Sequence, residues 1–336
     1  MTSNTLSGRS HLSKIFAEII GNLEIEEAFN RPGRPYVYST KSIIKAFLIM
    51  VAYRLTSVRS LARLLSQHPE IAQVCGFKNN KVPCYRTLCR RFVCLDNWIL
   101  QWCRIILTFL IEAKILKLQT IIIDATPGKS KCKKPRGKAM NKPSDLEAAF
   151  GCSNWGKEWF FGYKSVILTT SKPLVVPLSW QVIPANQQEV KYVIPLVSKA
   201  SWLLEKDRTY DLLADAGFDS AANFDWCHQL NIRLVGPTRA LGRPKKGELK
   251  AKLKGKRLKR WRFFKSKLGQ KLYQRRTDIE RFNGHIKDIF LIDSFTVKGL
   301  KNVNTFLSLT MLCYLAGVYY NYTKGRNLGK IKSLIA

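Results

Sequence analysis

At 336 residues, the chain can bury one large core and a smaller one, which predicts two domains. Its 57 Lys and Arg against 23 Asp and Glu give a formal charge of +34, and this imbalance predicts an anionic partner. Nucleic acid is the first candidate and a membrane surface the second. No N-terminal signal pattern is present, and the apolar stretches 43–53 and 305–320 are shorter than the roughly 18 to 20 residues that span a bilayer. We therefore expect nucleic acid, and no membrane, as the partner.

The N-terminal third of the sequence shows helical patterns. A cap at 39–40 precedes an apolar helix, Ser57 caps an amphipathic one, and a later helix carries Arg86 and Arg90. This order is compatible with a helix-turn-helix whose last helix presents arginines to DNA, although many all-helical domains share the pattern. We expect residues 1–115 to form a helical, DNA-binding domain.

From residue 116 the pattern changes from helical to extended. The run 119–124 is β-branched and lacks polar alternation, which is typical of a strand covered on both faces, and it ends at Asp124. A second buried run, 210–215, ends at Asp215. Because functional sites gather at the carboxyl edge of an α/β sheet, both aspartates are candidates for a site. Further strands are predicted at 159–170, 174–182 and 232–235, with helices at 189–203 and from 219 or 220 to 230.

A strongly basic segment, 239–276, follows these strands and holds 17 Lys and Arg with Glu248 as its one acid. Next comes a helix on which Tyr273, Arg276, Glu280 and Lys287 share an arc of roughly 60° at about 100° per residue. An apolar stripe occupies a separate arc and predicts the face that docks on a core: Ile279, Phe282, Ile286 and Ile289. Taken alone, the polar face could equally be a solvated surface with incidental ion pairs.

Asp124, Asp215 and Glu280 together would form a site of hard oxygen ligands suited to Mg²⁺, or to Mn²⁺ in its place. Two such ions about 3.5 to 4 Å apart would activate a water or a 3′-hydroxyl for attack on a phosphodiester. The surplus of Lys and Arg would bind such a substrate.

Each carboxylate also has a structural explanation. Asp124 could begin a turn before a proline, and Glu280 could be an ordinary i, i+4 ion-pair partner. Asp215 could pair with a lysine. Two other aspartates could be the site residue in its place: Asp211, which would lie within the strand, and Asp219, which is better explained as a helix cap.

The spacing Tyr273-(2)-Arg276-(3)-Glu280-(6)-Lys287 resembles the Tyr-(2)-Arg-(3)-Glu-(6)-Lys signature of the DDE transposases of bacterial and archaeal insertion sequences. Two further stretches resemble the segments that carry that family's first and second aspartates: Ile123-Asp124 with Gly162-Tyr163-Lys164, and Ala214-Asp215 through Ser220. The resemblance covers about residues 116–322, followed by a basic tail at 323–336. One departure is that a histidine often found two residues after the lysine is replaced by Val166.

The resemblance implies a ribonuclease-H-like catalytic domain, an α/β fold with a mixed central sheet flanked by helices. Asp124, Asp215 and Glu280 would bind two Mg²⁺ ions. Residues expected to contact DNA are Tyr273, Arg276, Lys287 and Lys164, with Arg86 and Arg90 in the helical domain. The reaction would be nicking at transposon ends, then attack of the freed 3′-hydroxyl on target DNA.

The resemblance also implies a homodimer that brings two inverted-repeat ends together, and a cytoplasmic, nucleoid-associated protein. Two alternatives remain open. One is a ribonuclease-H-like nuclease that hydrolyses DNA without strand transfer. The other is a non-catalytic DNA-binding protein derived from a transposase.

Overall fold

The structure is a computed structural model that describes residues 36–78, 81–132, 143–153, 158–238 and 255–335. The chain divides into two units. The first unit comprises the described residues up to Leu110, those from Gly128 to Tyr163 and those from His285 onward. The second unit comprises Ile111–Pro127 and the described part of Lys164–Gly284. Within the predicted basic segment, residues 239–254 lie outside the described residues.

The secondary-structure elements are numbered here in chain order. The strands are β1 Thr120–Ser130, β2 Ala149–Ser153, β3 Glu158–Thr170, β4 Pro177–Pro184, β5 Tyr210–Leu213, β6 Ile232–Val235 and β7 Ser294–Phe295. The helices are α1 Thr40–Ala52, α2 Val58–Gln67, α3 Pro69–Val74, α4 Tyr85–Phe92, α5 Asp96–Glu112, α6 Val193–Ala200, α7 Ala221–Gln229, α8 Gly255–Lys265, α9 Lys267–Tyr273, α10 Thr277–Phe290, α11 Leu300–Thr323 and α12 Lys332–Ile335. Strand β2 was not predicted from the sequence, and the predicted helix 189–203 is an α-helix between two 3₁₀ turns.

The second unit contains part of a seven-stranded sheet, with helices packed on it. Strand β5 lies between β1 and β6 and pairs in parallel with both, in a register that sets Ile121 opposite Leu212. Strand β3 neighbours β1 on its other side, and β4 pairs with β3. Helix α6 packs on β4, and α7 and α8 pack on β6. Because β2 and β3 pair antiparallel, the sheet is mixed, as the resemblance implied.

Strand β1 is longer than the sequence indicated. It was expected to end at Asp124, before a proline-glycine turn, but it continues to Ser130. Its last two residues pair with β7, and Gly128 permits this close packing because a Cβ there would lie 2.2 Å from the ring of Phe295. Asp124 therefore lies within a strand and does not begin a turn, although pairing with β5 ends at Ile122.

In the first unit, helices α1 and α2 begin where the sequence placed them. Ser39 Oγ accepts a hydrogen bond from Ser42 N, and Ser57 Oγ accepts one from Ser60 N. Such caps satisfy amide groups that the first turn leaves unpaired. The first unit also contains α11 and β2, so an all-helical N-terminal domain is not confirmed.

Helix α11 is the long apolar helix of the first unit and packs against α1. It extends over 24 residues, which is longer than the predicted apolar stretch, and with a mean hydropathy of 1.3 it could cross a membrane by length and composition alone. However, 89% of its apolar window is buried inside the protein. The prediction that this stretch is a buried helix is therefore confirmed, whereas its predicted length is wrong.

The predicted continuous helix through Tyr273 and Lys287 is interrupted. Helix α9 ends at Tyr273, a 3₁₀ turn covers Gln274–Arg276, and α10 begins at Thr277. This turn allows Tyr273 and the start of α10 to pack on the same hydrophobic cluster. The predicted apolar stripe of α10 is buried: Ile279, Phe282, Ile286 and Ile289.

Candidate active site

A single hydrophobic cluster in the second unit supports the candidate site. Its buried members are Ile122, Leu213, Val235, Phe264 and Ile279. Ile122 precedes Asp124 by two residues in β1, and Leu213 precedes Asp215 by two residues. Ile279 is adjacent to Glu280. The cluster therefore anchors all three elements that carry the predicted carboxylates.

Asp124 is a largely buried carboxylate, with 15% of its side chain exposed. Its Oδ1 accepts a hydrogen bond from Arg276 Nη1 at 3.4 Å, and its Oδ2 accepts one from Asn283 Nδ2 at 3.1 Å. Burial raises the pKa of Asp124 to about 6; Arg276 lowers it, and the charges of Asp215 and Glu280 raise it. Three carboxylates thus lie within electrostatic reach of one another.

Arg276 links two of these carboxylates. Its Nη1 donates to Asp124, and its Nη2 donates to Glu280 Oε1 across one helical turn. Burial disfavours the charged guanidinium, but the nearby carboxylates raise the pKa of Arg276 overall. The arginine therefore supplies positive charge that offsets two of the carboxylates in this structure. Glu280 keeps about half of its side chain, 49%, exposed.

Asp215 lies at the end of β5, as the sequence predicted. Its Oδ1 accepts a hydrogen bond from Gly217 N at 2.7 Å, which caps a short 3₁₀ turn. The two alternative aspartates form ion pairs with arginines: Asp211 contacts Arg233 at 2.7 Å, and Asp219 contacts two arginines of α8. Helix α7 is capped by a serine and not by Asp219. Of the three aspartates, Asp215 is the one whose charge raises the pKa values of Asp124 and Tyr273.

Tyr273 belongs to the same constellation. Its ring packs edge-on against Phe264, with centroids 5.0 Å apart, and contacts the hydrophobic cluster. Burial raises the pKa of its phenol; Arg276 lowers it, and all three carboxylates raise it. The structure thus brings together Asp124, Asp215, Glu280, Arg276 and Tyr273.

The three carboxylates fit a hard divalent cation in their donor chemistry, although their side chains do not form a closed ligand set. Among the residues that the structure describes, no group of three or more His, Cys, Asp or Glu is arranged to hold a metal ion. In this structure Arg276 engages both Asp124 and Glu280. Burial is the main cause of the raised pKa of Asp124, and repulsion by Asp215 and Glu280 adds to it; a bound cation would relieve that repulsion.

Two residues that the sequence patterns did not single out also support the site. Asp278, with 2% of its side chain exposed, accepts hydrogen bonds from Ser171 Oγ at 2.9 Å and from Lys172 N at 3.2 Å. It fixes the first turn of α10, two residues before Glu280. The sequence feature that could have identified Asp278 is its position as an acid in the first helical turn, directly before the apolar stripe.

Asn283 is the second such residue. It is 6% exposed, and its amide orients Asp124. Its Oδ1 is buried and has no hydrogen-bond partner within the described part of the chain. A polar residue beside the apolar stripe, three positions after Glu280, was the available signal.

Four further residues were predicted to contact DNA: Lys164, Lys287, Arg86 and Arg90. Lys164 Nζ contacts Glu189 Oε1 at 2.6 Å and Gln187 O at 3.3 Å, so this lysine is engaged within the second unit. Arg86 and Arg90 are exposed on α4 of the first unit. Lys287 lies in the last turn of α10, which belongs to the first unit. Their contacts with DNA stay predictions.

Comparison with known proteins gives one strong result. Residues 116–316 match the family model of the transposase DDE domain, and residues 3–93 match a second transposase domain model. No curated protein sequence matches the chain.

Solved structures that resemble the chain include a piggyBac transposase synaptic complex with hairpin DNA. That pair shares 9% identity with a TM-score of 0.47, over 98% of this chain and 78% of the other. A pre-cleavage Mos1 transpososome has 13% identity and a TM-score of 0.22, over 91% of this chain and 84% of the other. These scores are too low to carry an argument about fold or ligands.

Proposed function

We propose that this chain, which belongs to the transposase DDE domain family, binds transposon ends, cleaves DNA there and joins the freed 3′-hydroxyl to target DNA. Enzymes of this family cleave and transesterify DNA and generally use divalent metal ions. The observation that carries the proposal is that Asp124, Asp215 and Glu280 extend from three elements anchored on one hydrophobic cluster. The formal charge of +34 suits a DNA substrate.

We also propose the transposase subgroup, the catalytic fold, the DNA-binding region and the assembly of this protein. The intact signature of Tyr273, Arg276, Glu280 and Lys287 supports placing the chain among insertion-sequence transposases of bacteria or archaea. A mixed sheet flanked by helices supports a ribonuclease-H-like catalytic domain. We assign DNA binding to the N-terminal helices, with Arg86 and Arg90 exposed on α4. The working assembly is a homodimer on two ends, in the cytoplasm and associated with the nucleoid.

In the mechanism, Asp124, Asp215 and Glu280 would hold two Mg²⁺ ions, which supply activation of the attacking oxygen and stabilisation of the leaving oxygen. Asn283 orients Asp124 through its Oδ2. Arg276, once it binds a DNA phosphate, leaves the carboxylates that it contacts in this structure.

The first and last residues of the signature, Tyr273 and Lys287, position the DNA. Lys287 binds a phosphate as a point charge. Tyr273 offers its phenolic O–H as a donor at the edge of the carboxylate site, and burial keeps that group protonated by raising its pKa. The contacts of Tyr273 and Arg276 would hold the scissile phosphate in line for attack, and positioning together with electrostatic stabilisation accounts for most of the catalysis of phosphoryl transfer.

A strand-transfer assay tests the proposal. The substrate is a labelled duplex of the inverted repeat that flanks the coding region, already nicked at its 3′ end, with a supercoiled plasmid as the target and Mg²⁺ present. A transposase joins the labelled strand to the plasmid. Hydrolysis of an intact end without joined product would indicate the nuclease instead, and end binding without either reaction would indicate a DNA-binding protein with a decayed site.

A further inference from the structure

The second unit contains a groove that the proposed reaction does not use. It runs along β6, between α7 and α8, and has a volume of about 490 Å³. Aromatic rings and cations line it together, among them Phe224, His228, Arg233, Lys259 and Phe263.

The groove is separate from the carboxylate site. Its lining includes Thr209, which precedes β5, but none of the three carboxylates, and Asp215 follows β5. At about 3.3 Å per residue, these two positions are roughly 20 Å apart along the strand. His228 and Lys259, which line the groove, are exposed and make no hydrogen bond to the three carboxylates among the contacts described, so substitution of either leaves those carboxylates in place.

Flat side chains in the groove provide surfaces for stacking. The rings of Phe224 and His228 have centroids 6.3 Å apart and are tilted by 38°. The guanidinium of Arg233 lies 4.1 Å from the centre of the Phe263 ring, and 42% of the Arg233 side chain is exposed. Both aromatic rings and guanidinium planes are surfaces on which unpaired nucleic-acid bases stack.

Helix α8 places cations on the face that borders the groove. Its lining residues follow i, i+3, i+4, i+7 spacing: Lys256, Lys259, Arg260 and Phe263. Lys259 is exposed and forms no ion pair with any carboxylate in the described part of the chain. Lys256 contacts Asp225 at 2.9 Å, but both side chains are at least half exposed, and such pairs contribute little free energy. Both lysines can therefore turn to an anionic ligand.

We propose that this groove binds an unpaired DNA strand, with bases stacked on Phe224, His228 and Arg233 and phosphates bound by Lys256 and Lys259. The proposal deepens the proposed function, since DNA is the partner in both. Charge complementarity alone would also suit an acidic peptide. The alternation of stacking planes with cations favours a nucleic acid, because a peptide carboxylate leaves those planes unused.

Binding of a short labelled oligothymidylate to the full chain tests this proposal. Fluorescence anisotropy is measured in EDTA, so that no cleavage occurs, and the oligothymidylate is compared with an abasic strand of the same length and charge. Because stacking of one base contributes about 1 kcal/mol or more, the oligothymidylate should bind at least about fivefold more tightly. Equal affinity for the two strands would overturn the proposal.

Variants test whether the difference in affinity between the two strands arises in the groove. His228→Ala should reduce the preference for the strand with bases, and Lys259→Gln should lower the slope of log affinity against log salt by roughly 0.7, as expected for one phosphate contact on a single strand. Lys271→Gln is the matched control, since it removes an exposed lysine of α9 that does not line the groove. Both groove residues are exposed, so neither change should unfold the protein.

Three results would contradict the proposal: an unchanged base preference in His228→Ala, an unchanged salt slope in Lys259→Gln, or an equal change in the Lys271→Gln control. Binding of a polyglutamate peptide that is abolished in His228→Ala would assign the groove to an acidic protein segment instead. These measurements need neither metal nor transposon-end sequence. They can therefore fail while end cleavage succeeds, or succeed while it fails.

Discussion

The buried carboxylate of Asp278 offers the sharpest test of how the fold positions the candidate site. It accepts hydrogen bonds from Ser171 Oγ and Lys172 N, and it fixes the first turn of α10 two residues before Glu280. Asp278→Asn keeps the shape of the side chain and removes its charge. We expect lower stability of the second unit together with slower DNA cleavage.

The magnitude follows from the contacts of Asp278. A hydrogen bond to a charged group contributes about 1.5 to 3 kcal/mol and one between neutral groups about 0.5 to 1.5, so two weakened bonds cost roughly 2 to 3 kcal/mol. The ion pairs with Lys172 at 3.6 Å and Arg281 at 3.4 Å add little, because those cations are 63% and 66% exposed. Ser171, at 1% exposure, has no access to water in place of the carboxylate.

Hydrogen exchange at the Lys172 amide measures this cost locally. A loss of 2 to 3 kcal/mol should speed exchange through opening of this region by about 30-fold or more, because 1.4 kcal/mol corresponds to a factor of ten. Asp288→Asn is the matched control: it makes the same change at an exposed position on the same helix. Equal exchange rates in the two variants would refute the claim that Asp278 anchors α10.

Two other expectations concern the candidate site itself. Without metal, the pKa of Asp124 is about 6, above its ordinary value of 3.8, so the folded protein binds more protons than the unfolded chain between these values. The stability contributed by Asp124 should therefore fall as pH rises from about 4 to about 6; urea unfolding across this range should show the fall, and Asp124→Asn should remove it. Arg276→Ala and Lys287→Ala should each weaken end binding and lower its salt slope by roughly 0.9 for every phosphate that the variant no longer binds. An unchanged slope in anisotropy titrations would exclude phosphate binding by that residue.

Features that depend on neighbouring residues were predictable from the sequence. The caps Ser39 and Ser57 accept hydrogen bonds from amides three residues along the chain, so the sequence contains both partners of each contact. The apolar stripe of α10 is likewise a local pattern, and all four of its residues are buried. The buried runs that end near Asp124 and Asp215 were recognisable because strands covered on both faces lack polar residues.

Features that depend on distant residues were not predictable in this way. Strand β1 continues past Asp124 because its end pairs with β7, more than 160 positions later. Asp278 finds its partner Ser171 at a separation of 107 residues, and Arg276 finds Asp124 at 152. Lys164 pairs with Glu189, 25 residues later, and its predicted contact with DNA stays a prediction. No local pattern contains such pairings.

The most direct test compares cleavage and binding in three variants, Asp124→Asn, Asp215→Asn and Glu280→Gln, on one labelled transposon end. Each change removes a carboxylate without adding bulk. Mg²⁺-dependent cleavage should disappear in all three, while end binding in EDTA stays close to that of the unaltered protein. Cleavage that survives in any variant, or end binding that disappears in parallel with cleavage, would contradict the assignment of these carboxylates to catalysis.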